Sequence, residues 1–499
     1  MSRSRMARRG RAVLRLAVVW LVCAWGGAGS PAARAAGSPP ASGTPSAARE
    51  PRVLRVAPVP GAAQAALDLA EAEDEVVLLA GVHAGPLRVG RALHLRGESG
   101  AVVDGGGGGT VVTISAAGAV VEDLEIRRSG RQLLSTDAGV KVVSGANAVT
   151  LRRLRLRDVL YGIYVERGEH LVVDGCRLTG MVSPGVGGEG NGIHLWYTHD
   201  AWLHDDTVER FQDAVYLSFA FRTRVEGCRF QDSGRYGFHT MYSQDGRLIS
   251  SVFTRNVAGC ALMFSNGLEL VGNSFVHNRG PRTYGLLLNS CSGGAFRDNR
   301  IVDNTIGVFM DNSNRNRLEA NLIQDNGWGL LLFSSCAGNV LTRNTFLNND
   351  YPVSLDMRRT DNRFDDGTRG NYWSRNAPYD LDGDGISDVP YSPVSAFAFL
   401  SKQYPDLAIL AASPAVTALT MAERVFPALR PSAAVDRLPL VAPVRMVEAG
   451  APRNGVESRS SGAAAGGGLA ASRPSPGAAA GFGALFLVGA LGLAWRKWR

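Results

Sequence analysis

From residue 162 to residue 332, apolar and polar positions alternate in short blocks that return at a nearly constant interval. The block reads Gly-apolar-x-apolar. It appears as Gly162-Ile-Tyr-Val, Gly192-Ile-His-Leu, Gly237-Phe-His-Thr, Gly259-Cys-Ala-Leu, Gly285-Leu-Leu-Leu, Gly307-Val-Phe-Met and Gly329-Leu-Leu-Leu, with Ala214-Val-Tyr-Leu in the same frame. The step is about 22 residues, with longer steps after Gly162 and Gly259. Alternation with period two means strands. The unit is too short for a propeller blade and lacks the leucine frame of a leucine-rich repeat. It fits one coil of a parallel β-helix. A second block places Asn273, Asn299, Asn321 and Asn344 in one column, and Asn278, Asn304, Asn326 and Asn349 in another. Equivalent side chains in stacked coils lie about 4.8 Å apart, so their amides are expected to hydrogen-bond up the column. The predicted fold is all-β, a right-handed parallel β-helix of about thirteen coils from near Val76, roughly 60 Å long.

The flanks divide the rest of the chain. Residues 1–35 carry an Arg-rich start, an apolar run from Leu16 to Trp25 and an Ala33-Arg34-Ala35 cleavage pattern, so they read as a secretory signal peptide. A linker follows at 36–54, and the β-helix is expected over 55–375. Within it, Gly61 to Ala70 reads as a short helix that covers the open edge of the first coil. Residues 376–394 form an acidic loop that closes the helix, and 395–448 an apolar, partly helical segment. Residues 449–476 are a Gly/Ala/Ser/Pro-rich linker. Residues 477–499 are an uncharged stretch with a basic end, either a membrane span or a sorting tail. Both ends place the folded part outside the cytoplasm, at a membrane. The formal charge of +8 comes from the termini and the body is near neutral, which argues against nucleic acid as a partner.

Counting from the block's Gly, offsets +1 and +3 read as core. Offsets +2 and +4 face outward and carry His194, Tyr216, His239 and Phe309, then Trp196, Met241, Met263 and Phe333. An outward apolar and aromatic stripe marks a binding surface. Met241 and Met263 fall in neighbouring coils, and His239 lies two residues before Met241 on the same face. Two thioethers and an imidazole suit transient Cu(I), which selects soft ligands; packing under a loop or a partner is the competing reading. His194, Trp196, Tyr216, Phe309 and Phe333 extend the stripe as a partner surface. His194 sits two coils from His239, too far to share one ion, and His199 and His204 read as surface residues. Cys176, Cys228, Cys260, Cys291 and Cys336 are odd in number, and equivalent pairs stand two coils apart. They read as buried thiols rather than disulfides or copper ligands. Asp380, Asp382, Asp384 and Asp388, with Gly385 at the sixth position and the Ile386 carbonyl at the seventh, match the first part of an EF-hand loop. Position twelve is Tyr391, so the expectation is a truncated Ca²⁺ loop, against an acidic turn held by its own hydrogen bonds. The mapped outward columns hold Asp311 and no pair of acids for glycoside cleavage, so an enzyme is not expected.

Several segments carry a family likeness: Gly190-Asn-Gly-Ile-His-Leu-Trp196, Gly237-Phe-His-Thr-Met-Tyr242, Ala261-Leu-Met-Phe-Ser265, Gly370-Asn-Tyr-Trp-Ser374, Tyr379 to Gly385 and Asp388 to Tyr391. With them the chain resembles the NosD family of periplasmic maturation proteins for nitrous oxide reductase, over about residues 55–445. The resemblance implies a non-catalytic protein that works with an ABC-type permease and ATPase. It implies that the protein takes copper from a membrane-attached copper chaperone, or docks that chaperone, during assembly of the reductase's copper–sulfur centre. It further implies that segment 395–440 docks on the permease and that the outward stripe meets the chaperone or the reductase. The alternative is a carbohydrate-binding or carbohydrate-active β-helix.

Overall fold

A computed structural model describes residues 49–445, apart from 182–189, 358, 411–412 and 427–428. The signal-peptide, distal linker and C-terminal tail segments lie outside the described residues. Among the described residues no helix is long and apolar enough to cross a membrane.

The chain winds as a parallel β-solenoid. Every third strand falls in the same sheet, giving three sheets of 13, 12 and 13 strands. The Gly blocks form the second sheet, which runs from Leu87–Val89 to Tyr351–Leu355. Their register is the one the repeat predicts. Ile193, Val215, Phe238, Cys260, Leu286, Val308 and Leu330 stand opposite one another coil after coil, all buried. Helix α1 (Ala62–Leu69) sits at the N-terminal end and buries Ala63 and Leu67. A first strand not foreseen from the sequence, Val53–Val56, pairs with Glu75–Leu78 ahead of it.

Each coil is three short strands and tight bends, and the bends are where backbone polar groups need partners. The asparagine columns supply them. Asn299 Nδ2 donates to Asn321 Oδ1 at 2.9 Å and to the Leu270 carbonyl at 2.9 Å, while Asn321 Oδ1 also accepts from the Asn299 backbone N–H. The same triplet repeats from Asn273 to Asn371, and the second column runs from Asn256 to Asn349. A third column, Asn316–Asn339–Asn362, was not anticipated. The thiols take rungs in such columns: Cys228 follows Cys176 and Asp206, and Cys291 and Cys336 flank Ser313. All five described cysteines are free and buried, and burial pushes every thiol up from its usual pKa.

Beyond the last coil lie α2 (Ala396–Gln403), a 3₁₀ turn at Pro405–Leu410 and α3 (Pro414–Val425). A strap, residues 432–441, then returns to the solenoid. Asp436 exchanges both backbone hydrogen bonds with Tyr391, Gly370 donates to the Leu438 carbonyl, and Leu440 donates to the Asn371 carbonyl. This return explains the Gly-Asn-Tyr-Trp motif. Asp436 Oδ2 accepts from the Asn371 backbone N–H at 2.7 Å, from Asn371 Nδ2 at 3.3 Å and from Trp373 Nε1 at 2.8 Å. A Cβ on Gly370 would run into that carboxylate, so only glycine fits. Trp373 ends the inward aromatic column, stacked on Phe346 with ring centroids 4.3 Å apart.

Candidate metal centre

On the outer side of the second sheet, offset +2 sets Tyr164, His194, Tyr216, His239, Ala261 and Leu287 in register. Strand spacing lets the rings touch. Centroids are 4.7 Å apart for Tyr164–His194, 4.8 Å for His194–Tyr216 and 4.6 Å for Tyr216–His239. Offset +4 aligns Trp196, Ser218, Met241, Met263, Asn289 and Asp311, so the two methionines are direct neighbours. His194, Trp196, Tyr216, Phe309, Phe333, Met241 and Met263 are all half-buried.

His239 is 4 % exposed although it points away from the core. Tyr216 covers one face of its ring and Tyr236 abuts it edge-on at 4.9 Å. Sequence reasoning took this row as open to solvent. The structure corrects that: bulky side chains one strand apart shield one another. His239 Nδ1 lies 3.0 Å from Asp213 Oδ2, and Nε2 is buried with no hydrogen-bond partner. Asp213 is fully buried and accepts from Arg235 Nε at 2.8 Å. Burial opposes its ionisation, but Arg235 and His239 outweigh it and hold Asp213 below the usual carboxylate range. An ionised Asp213 can only accept, so Nδ1 carries a proton, and in the neutral ring it is Nε2 that presents the lone pair. A carboxylate fixing the tautomer of a histidine is the supporting arrangement seen behind metal-bound imidazoles. In the next coil the register partner of His239 is Ala261, which adds only a methyl group beside the Met241/Met263 pair.

His194 is the opposite case. Asn191 Nδ2, which can only donate, lies 3.3 Å from His194 Nδ1, so that nitrogen accepts and Nε2 bears the proton. Burial pushes its pKa down to about 4. Of these two histidines, His239 alone offers a free lone pair. Asp213 and Arg235 were both missed from sequence: Asp213 opens the strand one coil before His239, and Arg235 immediately precedes the strand of His239 itself. His204 is paired with Asp174 at 2.9 Å, and His199 stacks on Phe221.

Another feature escaped the sequence reading. At offset +5, Tyr197, Phe219, Tyr242 and Phe264 stack in parallel, with centroids 4.5, 5.1 and 5.1 Å apart. Tyr197, Tyr242 and Phe264 are exposed. This external ladder borders the methionine pair, and its signal was an aromatic residue immediately after each outward stripe.

In the acidic loop, carboxylate oxygens of Asp380, Asp382 and Asp384 lie within 4.8 Å of one another. Backbone N–H groups of Gly383 and Gly385 donate to Asp380, and that of Ile386 donates to Asp384. Asp388 stands apart from the trio and accepts from the Leu381 N–H. Ile386 pairs with Leu440 of the strap. Tyr391 is buried under Arg430, whose guanidinium lies 4.7 Å over its ring, so position twelve is structural.

The chain has relatives among known proteins. The family described as "Periplasmic copper-binding protein (NosD)" matches residues 178–377. A "Probable ABC transporter binding protein NosD" of Pseudomonas aeruginosa is 31 % identical over 378 residues, 73 % of this chain and 87 % of that protein. The protein so described in Stutzerimonas stutzeri is 29 % identical over 74 % of this chain and 87 % of its own length. Among solved structures, the A-module of the Azotobacter vinelandii mannuronan C-5 epimerase AlgE4 aligns with 60 % of this chain and 90 % of its own, at 16 % identity and a TM-score of 0.40. By its identity to the first of these relatives over most of both chains, the protein belongs to the NosD family.

Proposed function

We propose that this chain is a periplasmic accessory protein that receives Cu(I) and passes it on during assembly of the copper–sulfur centre of nitrous oxide reductase. In this reading it works with an ABC-type permease and ATPase and with a membrane-attached copper chaperone. Support comes from family membership, from the copper-binding description of the family and from relatives named for ABC transporter binding. The observation that carries it is the buried, unpartnered Nε2 of His239 held by Asp213 beside Met241 and Met263. The half-exposed thioethers meet the ion at the surface, and His239 supplies a ring nitrogen that no other group engages. Such a set favours Cu(I) over harder ions. The exposed apolar residues after the solenoid (Leu400, Tyr404, Ile409, Met421 and Phe426) support membrane association in this reading, as a face suited to a permease. We assign the acidic loop to Ca²⁺ in a structural role.

A carbohydrate-binding β-helix gains less support. Sugar stacking needs open ring faces, whereas each inner face of the Tyr197–Phe264 ladder is covered by the next ring.

The test is competitive Cu(I) titration of the mature chain. We expect affinity to fall at least about tenfold, about 1.4 kcal/mol, in Met241→Ala/Met263→Ala and in His239→Ala. Asp213→Asn should weaken binding less, because the imidazole is no longer fixed in one tautomer. Equal affinities across the series would remove the site.

A further inference from the structure

At the C-terminal end of the solenoid, far along the chain from His239, four stretches enclose a cavity of about 510 Å³. They are the turn after Trp373, the segment after the acidic loop, the end of α3 and the start of the strap. The volume is in the range of small-molecule sites. Its walls hold more donors than acceptors can satisfy. Arg375 has no acidic partner among the described residues, and Asn376 Nδ2 is buried with no acceptor. Arg430 lines the cavity with its side chain 10 % exposed, lying over the Tyr391 ring and donating to the Ser392 carbonyl at 3.3 Å.

The acid in the wall is Glu423, and it is already in use. Its Oε1 accepts from the Ala396 N–H at the start of α2, at 2.9 Å, and its Oε2 stays 3.9 Å from Arg430. Burial raises its pKa, which weakens it further as a counter-charge. Two guanidinium groups and an orphaned amide N–H therefore face one partly engaged acid. A buried donor without an acceptor is destabilising, and a local surplus of positive charge attracts an anion. Arginine's planar fork matches a carboxylate through two parallel hydrogen bonds.

We propose that this cavity is a carboxylate-binding site, with Arg375 and Asn376 as the groups that take the ligand's oxygens and Tyr391 and Val435 as its apolar wall. The carboxylate is either free in the periplasm or carried on an acidic side chain of a partner that docks at this end. The site is distinct from the copper centre and stands on separate observations.

Succinate titrated into the mature full-length chain, by calorimetry and by melting temperature, tests it. Binding in the sub-millimolar range with a raised melting temperature is expected, and Arg375→Ala should weaken it at least tenfold. Because Arg375 makes no ion pair within 4 Å among the described residues and acts on Glu423 only through its charge, the variant should melt close to the parent without ligand and keep its Cu(I) affinity. Asn376→Ala should weaken succinate several-fold. A short glutamate-rich peptide distinguishes the sources: displacement of succinate by the peptide points to a partner's acidic side chain, and failure to displace it points to a free acid. If neither succinate nor the peptide binds the folded parent chain, or Arg375→Ala binds succinate as tightly as the parent, the assignment is wrong.

Discussion

Asp206 occupies a rung in the column that farther along holds asparagine, between Cys176 and Cys228. Its Oδ1 accepts from the Cys176 N–H at 2.8 Å, while its Oδ2 is buried without a partner. Burial is the leading cause that pushes its pKa well above 3.8. The unfolded carboxyl loses its proton near that ordinary value while the folded one keeps it. The folded state therefore binds one more proton, and stability falls by about 1.4 kcal/mol per pH unit above that point until the folded group ionises. Asp206→Asn restores the ladder's amide and removes this slope. The variant's advantage in denaturant melts should grow as the pH rises above the ordinary carboxylate range, until the folded group ionises; a constant difference would contradict the protonated state. Spacing put Cys176 and Cys228 at equivalent positions two coils apart, with one rung between them. It could not show that an acid fills one, because nothing local distinguishes Asp206 from the surface acids around it. The same limit applies at His239 and His194. Both occupy offset +2, and only Asp213 and Asn191, each tied to one of them by the fold, give the two rings opposite tautomers.

The acidic loop was legible as a cation-loop pattern, but its dependence on the strap was not, since the partners lie some fifty residues apart in sequence. Ile386 bridges Leu440, Val441 N–H donates to the Gly385 carbonyl, and Ser387 N–H donates to the Pro439 carbonyl. Arg437 adds a two-pronged ion pair with Asp365 of the last coils, at 2.7 and 2.9 Å. A cation held by Asp380, Asp382 and Asp384 would therefore stiffen the loop and the strap together. Adding Ca²⁺ to chelator-treated protein should raise the melting temperature and slow amide exchange at Gly385–Ser387 and Leu438–Val441. Asp382→Asn should lose both effects. If exchange and melting are indifferent to Ca²⁺, the loop is an acidic turn held by its own hydrogen bonds. The helical segment before the strap was foreseen from its composition, although its two α-helices and 3₁₀ turn needed the structure to be separated.

Across the whole solenoid each coil touches mainly its neighbours, so stability is a sum of local terms. Phe253 tests this. It is fully buried, with ring centroids 5.3 Å from Phe230 and 4.8 Å from Phe275, in a column that continues through Ile301, Ile323 and Phe346 to Trp373. Phe253→Ala should cost about 4 kcal/mol, with faster amide exchange confined to the coils from Phe230 to Phe275. Uniform acceleration from Val76 to Trp373 would mean one cooperative unit instead. The coil stack was readable from one period because a single register fixes every inward residue; the strand Val53–Val56 and the returning strap, which lie outside the period, were not. At the C-terminal end the long asparagine column also has an electrical sense. Each amide hands its N–H forward to the next rung's oxygen, so the dipoles add along the axis, and the last donors, on Asn371, converge on the Asp436 carboxylate. That acid does for the column what an aspartate does at the start of an α-helix. A positive side chain in its place would be worse tolerated than a neutral one of the same size.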